Sequence, residues 1–170
     1  ICEGYVFRGV DGLAGEVGRT IVYDAKANLN SAGDLPRLED LYSENAIIDR
    51  AAVIKKVDNF SREAFLELLK DRDPEIMPLI KEWEMAIAAF IYNLNQLYAP
   101  QAIFITSRIF DNFPEIAQET LLNVEQFNSV HKPDLIFSDS SVQDASMLGA
   151  VALISRHVLG LQDHMLKFTL

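Results

Sequence analysis

One stretch near the start of the chain, residues 8–20, combines evenly spaced glycines with an acidic side chain. It reads RGVDGLAGEVGRT, with a glycine at every third position from Gly9 to Gly18, and Glu16 lies between Gly15 and Gly18. Glycine allows positive φ angles and lets the backbone come close to a ligand. The spacing therefore favours either a flexible surface loop between two strands or a ligand site that presents Glu16, and it leaves both interpretations open.

Two hydroxyl-rich segments are the next candidates for chemistry. Thr106, Ser107 and Arg108 follow one predicted strand, and residues 138–141 follow another. Ligands of parallel sheets gather at the carboxyl ends of the strands, where hydroxyl groups beside an arginine could hold a phosphate. The same groups also cap helices that follow strands. We favour capping, because neither segment has the glycines that wrap a pyrophosphate.

No metal site or nucleophilic triad is predicted. The chain has no cysteine pair, and its three histidines lack the spacing of metal ligands: His131, His157 and His164. A string of aspartates near the end lacks the glycine and closing glutamate of a calcium loop: Asp134, Asp139 and Asp144. Residue order alone supports no Ser-His-Asp or Cys-His arrangement.

Composition excludes several function classes. With 170 residues, 49% of them hydrophobic, the chain is long enough for one domain with a substantial core. Its net charge of −10 repels phosphate backbones, so we expect no direct binding of nucleic acid. The single cysteine, Cys2, favours a reducing compartment, and the longest apolar run, residues 85–92, is too short to span a bilayer. We expect a cytoplasmic protein without membrane contact, and the initial isoleucine suggests a piece of a longer protein.

The first half of the chain is predicted to hold two strands and four helices. Short strands at residues 4–8 and 20–23 flank the glycine-rich stretch. Helices are predicted at residues 38–42, from Ser43 through Val57, from Ser61 through Leu69, and from Asp73 to Tyr98. Residues 85–92 of the last helix are apolar on all sides, so we expect this helix to be buried on more than one face.

The second half alternates strands and helices. We predict buried strands at residues 102–106 and 135–138, and helices at 114–129 and 141–157. Strand, helix, strand in this order implies a parallel crossover. With the two antiparallel strands near the start, the whole chain forms one α/β domain with a mixed sheet.

Four segments, taken together, resemble the C-terminal half of the ROK family of repressors and sugar kinases. The family's GxxxRGxxGxAGEIGH is similar to GYVFRGVDGLAGEVGR at residues 4–19, and the end of its zinc loop, GCLExYxS, resembles PRLEDLYS at residues 36–43. Its DAGLLGAA resembles DASMLGAV at residues 144–151, and its INLLNPExIVI resembles LNQLYAPQAIFI at residues 94–105. The similarity covers nearly the whole chain.

The resemblance implies an actin-like, sugar-kinase-type lobe of the ribonuclease H-like kind, with the N-terminal lobe absent. It further implies that Glu16 and Glu39 accept hydrogen bonds from sugar hydroxyls, with Gly15 and Arg19 beside them. The ligand would be a sugar or a sugar phosphate, and the protein would form homodimers or homotetramers.

Three departures from the family pattern bear on function. Arg19 replaces the histidine that contacts sugar and zinc, and the zinc cysteines are absent between Arg19 and Glu39, so we expect no zinc. The glycine-rich nucleotide motif is replaced by Thr106, Ser107 and Arg108. The resemblance places the catalytic aspartate upstream, outside this chain.

These departures favour the sugar-sensing and oligomerisation domain of a ROK-type transcriptional regulator, without catalysis, whose DNA contact belongs to a preceding helix-turn-helix. The alternatives are the second lobe of a divergent ATP-dependent sugar kinase and a degenerate domain that only mediates interactions.

Overall fold

The computed structural model describes residues 9–12, 14–22, 35–127 and 129–138, together with positions 151, 154 and 158. The chain divides into two compact units. One consists of Ile1–Thr20 and Ser141–Leu170, and the other of Ile21–Ser140.

The first unit contains two single turns of 3₁₀ helix, at Val10–Gly12 and Val17–Arg19. Val151, Ile154 and Val158 are helical and exposed. The strand predicted at residues 4–8 lies outside the described residues, as does the helix predicted at 141–157 apart from two of these positions.

The second unit begins with four helices where the sequence predicts them. They are α1 (Leu38–Tyr42), α2 (Glu44–Lys55), α3 (Arg62–Lys70) and α4 (Met77–Tyr98). Ser43 and Ser61 each accept a hydrogen bond from the backbone N–H three residues later, which caps α2 and α3.

The start of α4 differs slightly from the prediction. The Asp73 carboxylate accepts hydrogen bonds from the backbone N–H groups of Glu75 and Ile76, at 3.0 and 3.3 Å. This caps a turn at residues 74–76, and α4 itself begins at Met77. α2, α3 and α4 are all followed by a left-handed residue that is not glycine: Lys56, Arg72 and Ala99.

A parallel crossover completes the second unit. β1 (Ala102–Thr106) is followed by α5 (Arg108–Asn112), α6 (Pro114–Gln126) and β2 (Asp134–Ser138). β1 and β2 pair in parallel, with Ala102 opposite Asp134 and Thr106 opposite Ser138. The predicted parallel pairing is confirmed, and α6 ends three residues before its predicted end.

Three predictions about this unit need correction. Residues 20–22 form no regular strand; Ile21 makes an isolated antiparallel bridge with Arg37. The Val22 N–H donates to the Pro36 carbonyl oxygen at 2.9 Å, and α1 begins at Leu38, directly after the bridge. α5 was not predicted.

The third correction concerns β1, which is only half-buried. Ile105 packs against the core, whereas Phe104 is 69% exposed. Successive side chains of a strand point to opposite faces, and the described core covers the face of Ile105.

The core lies between α4 and the other helices of the second unit. α4 packs against α1, α2 and α6. Within the apolar stretch at residues 85–92, Ala88 and Ile91 are buried, whereas Met85 is exposed, so the predicted burial of this stretch is only partial. The buried cluster comprises Ile47, Ile48, Ala51, Phe65, Leu69, Ile76, Leu79, Ile80, Trp83, Ile109, Phe110, Phe113, Ile116 and Ala117.

Candidate functional site

The glycine-rich stretch of the first unit is a series of tight turns. Gly9, Gly12 and Gly15 have φ angles of +62°, +73° and +93°, a conformation that side chains disfavour. A Cβ on Gly9 would also lie 2.8 Å from the Cβ of Ala14. The glycines are therefore required by the backbone path, as the sequence predicts for a shaped loop.

Glu16 and Arg19 lie at the two ends of the second turn of this stretch. The Val17 N–H donates to the carbonyl oxygen of Gly15 at 2.7 Å, and the Arg19 N–H donates to that of Glu16 at 3.1 Å. The Thr20 hydroxyl donates to the carbonyl oxygen of Val17 at 2.8 Å. Both Glu16 and Arg19 are exposed, so their side chains are open to a solute.

Glu39 lies on α1 in the second unit, where it is exposed. Its carboxylate is 3.7 Å from the Arg37 guanidinium. The Asp40 carboxylate accepts a hydrogen bond from the Arg37 N–H at 3.0 Å, which caps the start of the helix.

The end of α1 is tied to α2 and α4. The Tyr42 hydroxyl donates to Glu82 at 3.3 Å, and Arg50 donates to both oxygens of the same carboxylate, at 2.8 and 2.9 Å. The Arg50 guanidinium lowers the pKa of the Glu82 carboxyl, although partial burial opposes this. The indole N–H of Trp83 donates to the main-chain carbonyl of Tyr42 at 2.8 Å.

The segment after β1 is engaged by a carboxylate from α2. The Ser107 hydroxyl donates to Glu44 Oε1 at 2.7 Å, and the Arg108 N–H donates to the same oxygen at 2.8 Å. Ser107 Oγ also accepts from the Ile109 N–H at 3.2 Å, which confirms its predicted capping role. Thr106 and Arg108 are exposed. A phosphate contact at Thr106, Ser107 and Arg108 stays a prediction.

Glu44, Trp83 and the Arg50–Glu82 pair were not singled out from the sequence. Glu44 lies 63 residues before Ser107, and no local pattern joins them. For Trp83 the signal was available, because a buried indole N–H requires an acceptor, but the sequence does not say which acceptor.

Other features of the second unit lie away from these residues. Surface cavities of about 450 and 250 Å³ lie beside the end of α2 and beside the connection from α6 to β2.

Among the described residues, no group of three or more His, Cys, Asp or Glu side chains could hold a metal ion. No helix in the described part of the chain is long and apolar enough to cross a membrane.

Comparison with known proteins agrees with the resemblance in the sequence. The sequence model of the ROK family matches residues 1–157. The chain is 33% identical over 168 residues to the xylose repressor of Lactiplantibacillus pentosus, covering 99% of this chain and 42% of that protein. It is 25% identical over 165 residues to the xylose repressor of Staphylococcus xylosus, covering 93% of this chain and 40% of that protein. The chain thus spans about two fifths of the length of these relatives.

A solved structure shows the fold. The crystal structure of the ROK hexokinase from Thermus thermophilus matches with a TM-score of 0.72 and 20% sequence identity, over 88% of this chain and 51% of that chain. The predicted actin-like, sugar-kinase-type α/β fold is confirmed. Because the family model matches most of the length of this chain, the chain belongs to the ROK family.

Proposed function

We propose that this chain is the sugar-sensing effector domain of a ROK-type transcriptional regulator and that it does not transfer phosphate. Both curated relatives are named xylose repressors, and each similarity extends over more than nine tenths of this chain. Contact with DNA would belong to another part of the protein, since the net charge of −10 opposes it here.

The proposed ligand is a small sugar, and D-xylose is the first to test because of the names of these relatives. Glu16 and Glu39 would each accept hydrogen bonds from sugar hydroxyls, and both are exposed. Ionised carboxylates accept strong, charge-assisted hydrogen bonds. Arg19 adds a fixed positive charge three residues after Glu16, which would favour an acidic or phosphorylated sugar unless it pairs with a carboxylate.

The engagement of Ser107 and Arg108 by Glu44 is the observation that carries the absence of catalysis. Phosphoryl transfer depends on donors and metal ions that hold a nucleotide's phosphates. In this chain a carboxylate already accepts from the Ser107 hydroxyl and the Arg108 N–H. A phosphate at this place would have to displace Glu44 and would be repelled by its charge.

The second candidate is one lobe of a divergent sugar kinase, which the fold of the ROK hexokinase favours. The two candidates differ in whether ATP is consumed. Sugar binding without turnover supports the regulator, whereas ATP-dependent phosphorylation of the bound sugar contradicts it.

The experiment is calorimetric titration of the full-length protein with D-xylose, a panel of other sugars and their phosphates, alongside an assay of ATP consumption. We expect saturable binding of a sugar and no ATP turnover above the level without protein. If no sugar in the panel binds, the domain is one that only mediates interactions, and the sugar-sensing proposal is wrong.

A further inference from the structure

A buried indole donates a hydrogen bond to the carbonyl group at the end of α1. Trp83 is 3% exposed, and its Nε1–H donates to the Tyr42 carbonyl oxygen at 2.8 Å. The last carbonyl oxygens of a helix receive no hydrogen bond from within that helix, so their donors come from elsewhere. Trp83 supplies that donor from α4.

The indole also packs against an aromatic ring of α5, which in turn contacts a ring of β2. The ring of Phe110, on α5, lies 5.2 Å from that of Trp83 at an angle of 48°. Phe137, on β2, lies 5.1 Å from Phe110 and nearly perpendicular to it. Tilted and edge-to-face rings at these distances attract one another, so the orientation of the indole is set by two further elements.

α1 depends on such contacts because it has only five residues. An isolated helix of this length is unstable, because the free-energy cost of nucleation exceeds the stabilisation from one turn of hydrogen bonds. The hydrogen bonds at Tyr42 therefore fix where the helix lies. Glu39 is three residues before Tyr42 and moves with it.

We infer that Trp83 is a positioning residue for Glu39: its hydrogen bond to the Tyr42 carbonyl places the carboxylate that binds the sugar. This inference rests on the proposed function. Trp83 is the only tryptophan of the chain. Because the indole and Glu39 are linked through α1, we expect a sugar on Glu39 to alter the surroundings of the indole, so that its fluorescence reports sugar binding.

The first test measures, during titration with D-xylose, the difference in tryptophan emission between the full-length protein and its Trp83→Phe variant, which isolates the signal of Trp83. We expect a saturable change whose midpoint equals the calorimetric Kd. In the Glu39→Ala background this difference should need much higher sugar concentrations. Binding seen by calorimetry without any change in the emission of Trp83 would overturn the inference.

The second test compares affinities. Trp83→Phe keeps a large buried ring but removes the donor, and we expect the Kd for D-xylose to rise about three- to tenfold, the value of one neutral hydrogen bond. In the Glu39→Ala background the same substitution should have no further effect, because both changes act through one carboxylate. Phe65→Leu, at a fully buried position of α3, is the control: it lowers thermal stability but should leave the Kd unchanged, because Phe65 takes no part in the hydrogen bond to Tyr42.

Tyr42→Phe provides a surface variant in case Trp83→Phe does not fold. It keeps the ring, removes the bond from the hydroxyl to Glu82, and should raise the Kd by a smaller factor. If Glu39→Ala weakens binding while Trp83→Phe and Tyr42→Phe do not, the inference is wrong and the proposed function stands. If Glu39→Ala leaves D-xylose binding intact, the assignment of Glu39 to the sugar fails, and the inference fails with it.

Discussion

Glu16 is the side chain that we propose as the sugar contact of the first unit. It is exposed and follows Gly15, whose φ of +93° sets the direction of the turn. Loss of a charge-assisted hydrogen bond costs about 1.5–3 kcal/mol. Glu16→Ala should therefore weaken sugar binding roughly ten- to a hundredfold, as measured by calorimetry on the full-length protein. Glu67→Ala, at an exposed carboxylate of α3, is the matched control, and an unchanged Kd in Glu16→Ala would contradict the assignment.

A different carboxyl group, Glu84, lies on the buried side of α4. It is 6% exposed. Burial raises the pKa of its carboxyl above the ordinary value of 4.5, the Glu119 carboxylate on α6 raises it further, and Lys81 opposes both. The folded state therefore binds this proton more tightly than the unfolded chain does.

The sign of the resulting pH dependence follows from linkage. Below about pH 4.5 the Glu84 carboxyl is protonated in both the folded and the unfolded state, so it does not lower the free energy of unfolding. As the pH rises through the raised pKa of the folded state, the contribution of Glu84 to stability falls, and the full cost is present above it. Glu84→Gln should remove this dependence and raise the free energy of unfolding near pH 7 by about 1 kcal/mol.

Urea unfolding at several pH values measures this effect. Glu115→Gln, at an exposed position of α6, is the control and should leave the pH dependence unchanged. A Glu84→Gln variant that is less stable than the wild type at pH 7 would show that the carboxylate has a favourable partner.

At the scale of elements, the end of α2 is joined to the start of α4 by an ion-pair cluster. Lys55 Nζ donates to Asp73 at 2.9 Å and to Glu75 at 2.6 Å. The hydrogen bond from Lys55 lowers the pKa of the Asp73 carboxyl below its ordinary value of 3.8, although desolvation opposes it. Asp73 also caps the turn before α4. One carboxylate therefore serves both a cap and an interhelical contact.

Asp73→Ala should lower the thermal midpoint by several degrees, because it removes the cap and one partner of Lys55. Asp73→Asn keeps a good capping side chain and removes only the charge, so it should retain most of the stability at pH 7. In the wild type the contribution of the charge is present above pH 3.8 and is lost as the pH falls through the lowered pKa. Calorimetric melting between pH 2 and 7 tests this, and equal losses in both variants would contradict a separate role for the cap.

Sequence reasoning succeeds for the elements whose signals are local. Ser43, Ser61 and Asp73 predict helix starts because each cap bonds a backbone N–H two or three residues later. It fails for α5, whose five residues carry little helical signal. That helix is stabilised by burial of Ile109 and Phe110, which only the folded chain provides.

The candidate site residues also divide into those with a local sequence signal and those whose contacts depend on long-range packing. The positive φ angles in the glycine-rich stretch could be predicted from residue types alone. The contacts of Glu44 with Ser107 and of Trp83 with Tyr42 join positions 63 and 41 residues apart. Such pairs depend on how helices pack, and no periodicity in the sequence specifies them.

At the scale of the whole molecule, we predict self-association. Val151, Ile154 and Val158 are exposed helical residues spaced three and four apart, so they share one side of a helix. Exposed apolar side chains at this spacing favour a partner, and a second copy of the same chain is the commonest one.

Sedimentation velocity at micromolar concentration should show a dimer or tetramer. Ile154→Asp should shift the protein toward the monomer, because it places a charge in the apolar interface. Val53→Asp, at an exposed position of α2, is the control. A monomeric wild type would contradict self-association, and dissociation by Val53→Asp alone would place the interface elsewhere.

The left-handed residues Lys56, Arg72 and Ala99 are positions at which the stability of the chain can still be increased. Each carries a Cβ in a conformation that glycine adopts with less strain. Replacement by glycine should raise the free energy of unfolding by roughly 0.5 kcal/mol at each position, after the greater conformational freedom of the unfolded chain is subtracted. The effects of well-separated sites are nearly additive. A lineage that accepts destabilising changes around Glu39 could recover the lost stability at these helix ends without altering Glu39 itself.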